Sequence, residues 1–384
     1  MDFDFTWILL GLPIAFTLGW LASRADLRQL RIENRQAPKA YFRGLNFLLN
    51  EQQDQAIDAF IEAVQNDPDT SELHFALGNL FRRRGEYERA VRVHEHLLQR
   101  GDLPQLERDR AQHALALDYL KAGLLDRAET ALRKLEATSF EEEARLALLS
   151  IYERSRDWQH ATDIASKLNT AGLASFTSRQ AHYLCEQANA LVDTGDAAQA
   201  LSLLELASSI APASARPLID LAKLQAQRSQ SQAAFDTLIR LEKAAPQAMP
   251  LAAGLLVTIA QNDDLYFQVM ALLKAHYQRT PSVDVMDAIA RLETDPAASR
   301  QGYIQHLETE TSLVAAARWV AGERLTNAGE VHNHKLVQRA LDQATKPLMR
   351  YRCAACGFEV TQHFWHCPGC QAWDSYPARR IEEL

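Results

Sequence analysis

Residues 73–99 read LHFALGNLFRRRGEYERAVRVHEHLLQ, and this stretch decides the fold class. Small residues at Gly78 and Ala90 lie among large apolar ones, and Gly85 separates two segments whose apolar positions recur at helical spacing. A small residue where two helices cross lets their backbones approach closely, and a glycine between them permits a tight turn. The stretch therefore predicts two antiparallel helices joined by a short turn.

The same spacing recurs along the middle of the chain at intervals near 34 residues. Ala56 precedes Ala90 by 34 residues, and Gly44 precedes Gly78 by the same interval. The key alanines are Ala56, Ala90, Ala128, Ala161, Ala200 and Ala234. A period of this length is typical of stacked helix pairs. We count six units over residues 40–246 and predict degenerate helical repeats over residues 247–347, where helical spacing continues but the signature fades.

This pattern resembles the tetratricopeptide repeat family. The resemblance implies an all-α superhelix of helix pairs whose concave surface grips peptide or protein segments. The arginine run at residues 82–84, and the nearby pair His94 and His96, are interpreted as part of a solvated helix surface. Lone Cys185, inside a helical apolar pattern, is interpreted as a small core residue.

Residues 351–376 read YRCAACGFEVTQHFWHCPGCQAWDSY and hold four of the five cysteines of the chain. Each Cys-x2-Cys turn aims two sulfurs at one point, so two such turns make a tetrahedral cage for zinc or iron. The predicted ligands of one metal ion are Cys353, Cys356, Cys367 and Cys370. His363 and His366 could each replace a cysteine, but four thiolates already complete the site. We predict that the metal folds this segment, which has little apolar core of its own.

The string Cys-Ala-Ala-Cys-Gly followed by Cys-Pro-Gly-Cys resembles the metal-binding loops of rubredoxins and related zinc ribbons. The sequence departs from that pattern at Gln371, where a glycine usually follows the last cysteine. The resemblance makes electron transfer by an iron ion an alternative to a structural zinc ion, and the departure at Gln371 makes it the less favoured of the two. We predict a rubredoxin-like metal knuckle and tail over residues 348–384.

The segment Phe5–Ala22 carries no charge, and its 18 residues span about 27 Å as a helix, close to the thickness of a bilayer core. Asp2 and Asp4 precede it, whereas a cleavable signal peptide begins with positive charge. A buried core helix is the alternative, but such a helix rarely lacks any polar stripe. We predict a transmembrane helix at residues 1–22.

Arginines follow the apolar segment directly, at Arg24, Arg28, Arg31 and Arg35. Because cytoplasmic flanks carry the excess of basic residues, the C-terminal side is predicted to face the cytoplasm. We therefore predict a basic juxtamembrane segment at residues 23–39 of a single-pass membrane protein.

The overall composition argues against two classes of function. A net charge of -8 and a pI near 5.9 provide no basic field for binding nucleic acid. The sequence contains no phosphate-binding glycine loop, no HExxH motif and no nucleophile elbow. We predict no catalytic residue, no organic cofactor site and no enzyme activity.

The charge-free N-terminal segment, the repeat series and the closing strings YRCAACGF and WHCPGCQAW together resemble the lipopolysaccharide assembly protein B family of Gram-negative bacteria. The resemblance implies a single-pass adaptor in the inner membrane that presents the deacetylase of lipid A synthesis to the membrane protease FtsH. It also implies opposition by an inner-membrane protein that senses lipopolysaccharide. A general scaffold for lipopolysaccharide assembly proteins is the alternative, and the sequence leaves open whether the chain forms a homodimer.

Overall fold

The computed structural model describes residues 16, 17, 20, 39–66, 70–170, 176–261, 263–323 and 328–384. Two compact units divide the chain, Met1–Ser155 and Arg156–Leu384. The predicted transmembrane helix falls on residues 1–22, of which only three are described, so that prediction lies outside the described part. Among the described residues, no helix has both the length and the apolar character that a membrane crossing requires.

The described part of the first unit consists of α-helices with short connections. These are α1 (39–49), α2 (Gln53–Asn66), α3 (Ser71–Arg83), α4 (Tyr87–Gln99), α5 (Gln105–Lys121), α6 (Leu125–Arg133) and α7 (Glu141–Ser155). Close helix approach occurs where the sequence has glycine: a Cβ on Gly44 would lie 2.9 Å from the Phe60 ring. A Cβ on Gly78 would lie 2.5 Å from the His94 ring. Both positions require glycine, as expected for crossing points.

The second unit continues the helical architecture and ends in a small two-stranded element. Its helices are α8 (Trp158–Thr170), α9 (Thr177–Thr194), α10 (Ala197–Ile210), α11 (Ala215–Gln227), α12 (Ser231–Ala244), α13 (Met249–Ala260), α14 (Tyr266–Arg279), α15 (Val283–Leu292), α16 (Pro296–Thr309), α17 (Leu313–Ala321) and α18 (Ala328–Thr345). Its strands are β1 (Tyr351–Arg352) and β2 (Glu359–Val360), paired antiparallel. The prediction of an all-α repeat fold with a small C-terminal metal-binding element is confirmed.

The predicted register of the repeats agrees with the observed packing. All six key alanines have an exposed fraction of 0%, so each lies in a helix contact where a larger side chain has no room. Cys185 is also fully buried, as its apolar surroundings predict, and burial raises the pKa of its thiol. The spacing of small residues thus identified the helix-packing positions correctly.

The turns between helices adopt a left-handed backbone at recurring positions. Gly85 has a φ of 79° and Gly123 a φ of 78°, the conformation that a glycine adopts without steric cost. Glu51, Arg156 and Ser229 occupy corresponding turns with φ values of 59°, 58° and 60°. The turn geometry therefore persists in repeats that have lost their glycine.

The repeat signature fades at α13, the first α-helix after residue 246, because this helix is more completely buried than the helices before it. Eight of the twelve residues of α13 are buried, and the helix lies in an apolar cluster that extends from Leu218 to Ala315. A helix surrounded by protein needs apolar residues on nearly every side, so it loses the amphipathic pattern by which repeats are recognised. The repeat signature is therefore weak where α13 lies inside a continuous apolar core.

One sequence interpretation is wrong in the first unit. Arg83 and Arg84 are exposed, but the guanidinium of Arg82 donates to Asp118 Oδ1 at 2.8 Å, and its side chain is only 19% exposed. His94, interpreted as part of a solvated surface, is fully buried, and its Nδ1 lies 2.5 Å from Asp118 Oδ2. These side chains form a buried polar network in the repeat core.

Candidate metal centre

The hairpin of β1 and β2 frames the first cysteine turn. Cys353 N donates to Phe358 O at 3.0 Å, and Gly357 N donates to Cys353 O at 2.9 Å. Gly357 has a φ of 76°, so its left-handed conformation closes the turn after Cys356. These short backbone bonds fix the direction of both cysteine side chains.

The second cysteine turn repeats this geometry. Cys367 N donates to Ala372 O at 2.9 Å, and Gln371 N donates to Cys367 O at 2.9 Å. Gln371 has a φ of 59° and occupies the position that Gly357 occupies in the first turn, four residues after the leading cysteine. The departure from the rubredoxin pattern at Gln371 thus leaves the backbone of the turn intact.

The two turns bring four sulfur atoms together. The Sγ atoms of Cys353, Cys356, Cys367 and Cys370 all lie within 4.8 Å of one another. The distance from Cys353 to Cys370 is 3.8 Å, and the distance from Cys356 to Cys367 is also 3.8 Å. Four thiolates at about 2.3 Å from a central zinc ion would be separated by about 3.8 Å, so the cluster fits one tetrahedral zinc or iron ion.

The surroundings of Cys353 and Cys367 favour thiolates, the form that binds metal, whereas burial and the neighbouring cysteines raise the pKa of Cys356. Burial alone would raise the pKa of Cys353, but Ser375 Oγ at 3.3 Å and the backbone N–H groups of Cys356 and Ala355 lower it to about 6. The pKa of Cys367 is lowered in the same way, because amide donors of the second turn outweigh burial. Such donors also stabilise a metal-bound thiolate, so the turns prepare the site for its ion.

The two histidines of the intervening loop have other contacts. His363 Nε2 lies 3.1 Å from Tyr376 O, and burial lowers the pKa of its ring. The His366 ring stacks on Trp373 with centroids 4.3 Å apart. Within the described part of the chain, the only group of three or more candidate ligand residues is the four cysteines.

The knuckle, defined as residues 351–376, packs against the helices of its own unit through aromatic rings. Trp373 stacks on His182 of α9 with centroids 4.8 Å apart and contacts Tyr183 edge-on at 5.8 Å. Leu251 of α13 packs against the small apolar core of the knuckle, which includes Tyr351. Sequence reasoning missed this interface because its helix residues occur within ordinary repeat patterns.

A hydrogen-bonded carboxylate strengthens the same interface. Asp374 Oδ1 lies 2.9 Å from His182 Nε2, and Asp374 Oδ2 accepts from Ser178 Oγ at 2.9 Å. Burial alone would raise the pKa of Asp374, but these bonds from His182 and Ser178 lower it below its ordinary value. The charged form of Asp374 is therefore the form that holds the knuckle against α9.

We expect Asp374→Asn to loosen the knuckle without releasing its metal. The loss of a charge-assisted hydrogen bond from a half-exposed carboxylate costs about 1 kcal/mol after solvent screening. Hydrogen exchange of residues 351–376 measures the effect and should become faster. Glu359→Gln is the matched control, since Glu359 pairs with Arg352 inside the hairpin. Equal exchange rates in both variants would show that Asp374 does not hold the knuckle in place.

Comparison with known proteins finds two matching family models and several similar proteins. A model of the rubredoxin metal binding domain matches residues 351–376, and a model of the tetratricopeptide repeat matches residues 73–108. Lipopolysaccharide assembly protein B of Escherichia coli is 30% identical over 404 residues, which cover 98% of this chain and 99% of that protein. The protein of the same name from Haemophilus influenzae is 28% identical over 405 residues, 96% of each chain. A solved tetratricopeptide repeat protein from Parabacteroides merdae is 14% identical over 67% of this chain and 98% of its own, with a TM-score of 0.34.

Proposed function

Because this chain belongs to the lipopolysaccharide assembly protein B family, we propose that it is an inner-membrane adaptor that regulates lipopolysaccharide synthesis. It presents the deacetylase of lipid A synthesis to the membrane protease FtsH, and an inner-membrane protein that senses lipopolysaccharide opposes it. The observation that carries the proposal is a match over 98% of this chain to a relative whose name states a role in lipopolysaccharide assembly.

The described architecture supports an adaptor. Stacked helix pairs expose long surfaces that bind protein segments, and their side chains need no chemistry of their own to do so. The knuckle, for which we propose Cys353, Cys356, Cys367 and Cys370 as metal ligands, adds a rigid element beside α9 and α13. Repeats and knuckle in one unit therefore offer two kinds of surface to a client and a protease.

The proposed transmembrane helix at residues 1–22 gives the adaptor its location. An adaptor changes a pathway by changing which proteins meet, and tethering raises the effective concentration of a bound client near membrane enzymes. The arginines after residue 22 place the repeats on the cytoplasmic side in this proposal. Membrane attachment should therefore be necessary for function even when the repeats fold normally.

Depletion of this protein is expected to lengthen the half-life of the deacetylase severalfold and to raise the lipopolysaccharide content of the cell. The physical reason is that the protease then meets its substrate only by free diffusion. Pulse-chase labelling of the deacetylase in a depletion strain measures the decay directly. Unchanged decay would contradict delivery to the protease and favour a general assembly scaffold.

Two variants, each expressed in the depletion strain, distinguish the effect of membrane tethering from the effect of folding. A variant without residues 1–22 should rescue decay poorly, because it binds the client away from the membrane. The matched control replaces residues 1–22 with an unrelated single-pass helix of the same orientation and should restore decay. Full rescue by the untethered variant would show that the membrane helix is dispensable.

Electron transfer is a second candidate function because Cys356 and Cys370 are exposed, which places the metal site near the surface. An iron ion at such a site exchanges electrons with a partner through a short path. Purified protein with a visible chromophore and one equivalent of iron would favour this function, whereas a colourless zinc protein would exclude it.

A further inference from the structure

Helix α1 exposes two large apolar side chains on one face. Phe42 is 60% exposed, although its ring contacts the Tyr41 ring edge-on with centroids 5.6 Å apart, and Leu49 is 80% exposed. These residues are two helical turns apart, so they lie on the same side of the helix. Among the described residues of α2–α7, no helix exposes more than one large apolar side chain. The outer face of α1 therefore differs from the surface of the other repeats in its unit.

The opposite face of α1 is fixed against the next helix. Ala40 is 2% exposed and belongs to the same apolar cluster as Phe60 of α2. Gly44, one turn after Ala40, is buried where the two helices cross, and a Cβ there would meet the Phe60 ring. Because packing on α2 sets the rotation of α1, Phe42 and Leu49 are held facing outward.

Basic residues flank the exposed apolar pair. Lys39 is exposed, and the side chain of Arg43, one turn later, is 54% exposed. Helix α1 contains no acidic residue. The acidic residues of this helix pair lie outside α1, and Glu62 of α2 already pairs with Arg43 at 3.1 Å. A helix surface with apolar residues beside basic ones is typical of helices that lie in a membrane interface.

The sequence before α1 carries charge of the same sign and leads to the proposed transmembrane helix. Residues 23–50 contain two acidic residues and six basic ones, although the whole chain has a net charge of -8. The basic residues are Arg24, Arg28, Arg31, Arg35, Lys39 and Arg43. Only residues 23–38 separate α1 from the proposed transmembrane helix, and a chain of that length spans at most about 60 Å. The bilayer surface is therefore within reach of α1.

We propose that Lys39, Phe42, Arg43 and Leu49 form a membrane-contact face of α1, which binds anionic phospholipid on the cytoplasmic surface of the inner membrane. Phe42 and Leu49 enter the boundary between headgroups and acyl chains, while the two cations stay at the phosphate groups. The inference rests on the proposed transmembrane helix at residues 1–22. It adds a second contact, which fixes the first repeats at the bilayer and limits their rotation about the membrane helix.

The test uses full-length protein in lipid nanodiscs of two compositions: phosphatidylcholine alone, and equal parts of phosphatidylcholine and phosphatidylglycerol. Amide exchange of residues 39–49 should be roughly tenfold slower in the anionic nanodiscs, because α1 must leave the lipid before it opens. Exchange of α5, in the same unit, should be equal in both compositions. Equal exchange of residues 39–49 in the two compositions would overturn the proposal and leave a protein partner as the ligand of this face.

Variants show which side chains cause the difference between the two lipids. F42S/L49S should exchange equally in both compositions, and K39Q/R43Q should lose most of the difference. The matched control is L336S/V337S, which removes two apolar side chains of α18 that are 55% and 52% exposed and should keep the wild-type difference. Comparing one variant in two lipids cancels any effect of the substitution on the helix itself. A wild-type difference in F42S/L49S would disprove the contact face.

Extraction of native membranes with alkaline carbonate tests the proposed transmembrane helix separately. Protein that resists extraction but shows no lipid-dependent exchange has the membrane helix and lacks the contact face. Protein that is extracted by carbonate yet shows slower exchange of residues 39–49 in anionic nanodiscs has the contact face and lacks the membrane helix. We expect resistance to extraction together with lipid-dependent exchange.

Discussion

The C353S/C356S variant is expected to bind no metal and to lose the folded structure of residues 351–376. Two thiolates cannot close a tetrahedral site, and metal binding to such a site contributes about 10–16 kcal/mol of folding free energy. The apolar cluster of the knuckle contains only four buried residues, too few to stabilise it alone. Elemental analysis of the purified protein and tryptic mapping of the C-terminal segment measure both effects.

The loss of folded structure in the knuckle should also destabilise the helices that contact it. Without a folded knuckle, Trp373 no longer stacks on His182 and Asp374 no longer accepts from Ser178. Amide exchange in α9 should accelerate as a result. Cys185→Ser is the matched control, because it changes a buried cysteine of α9 outside the metal site and should keep one equivalent of metal. Wild-type metal content and protease resistance in C353S/C356S would disprove the metal-folded knuckle.

The fold could be predicted from sequence where local chemistry alone determines it. The alanines at helix crossings, such as Ala56 and Ala90, are small because backbone approach leaves no room, and that requirement is visible in one sequence. The cysteine turns are equally local, since the spacing within each pair directs both sulfurs to one point. Gln371 shows the limit of such rules, because it takes the left-handed backbone that was expected of glycine.

The remaining features depend on contacts between residues far apart in sequence. Asp374 and His182 are 192 residues apart, and no repeat pattern relates their two positions. Glu382 lies in no motif that would indicate a partner, yet its carboxylate accepts from Leu313 N at the start of α17. Arg82 belongs to a run typical of a solvated helix end, and only the fold brings Asp118 to it. Contacts of charged residues with partners far away in the chain produce no periodic pattern in a single sequence.

Asp118→Ala is expected to destabilise the first unit by about 3–5 kcal/mol, the cost of breaking a buried ion pair by removing one partner. Asp118 is fully buried and accepts from Arg82, while its second oxygen contacts His94. Its removal leaves a guanidinium and an imidazole in the repeat core without their shared acceptor. Native-state hydrogen exchange of α3, α4 and α5 measures the change in opening free energy.

The matched control is Glu88→Ala, which removes a carboxylate of α4 whose side chain is 90% exposed and should change stability by no more than about 0.5 kcal/mol. Asp118→Asn should give an intermediate result, because the amide keeps the volume and one acceptor oxygen but loses the charge. We expect the loss of stability to increase in the order Glu88→Ala, Asp118→Asn, Asp118→Ala, because the number of buried partners left unsatisfied increases in the same order. If Asp118→Ala exchanged as slowly as Glu88→Ala, the network of Arg82, Asp118 and His94 would contribute nothing to stability.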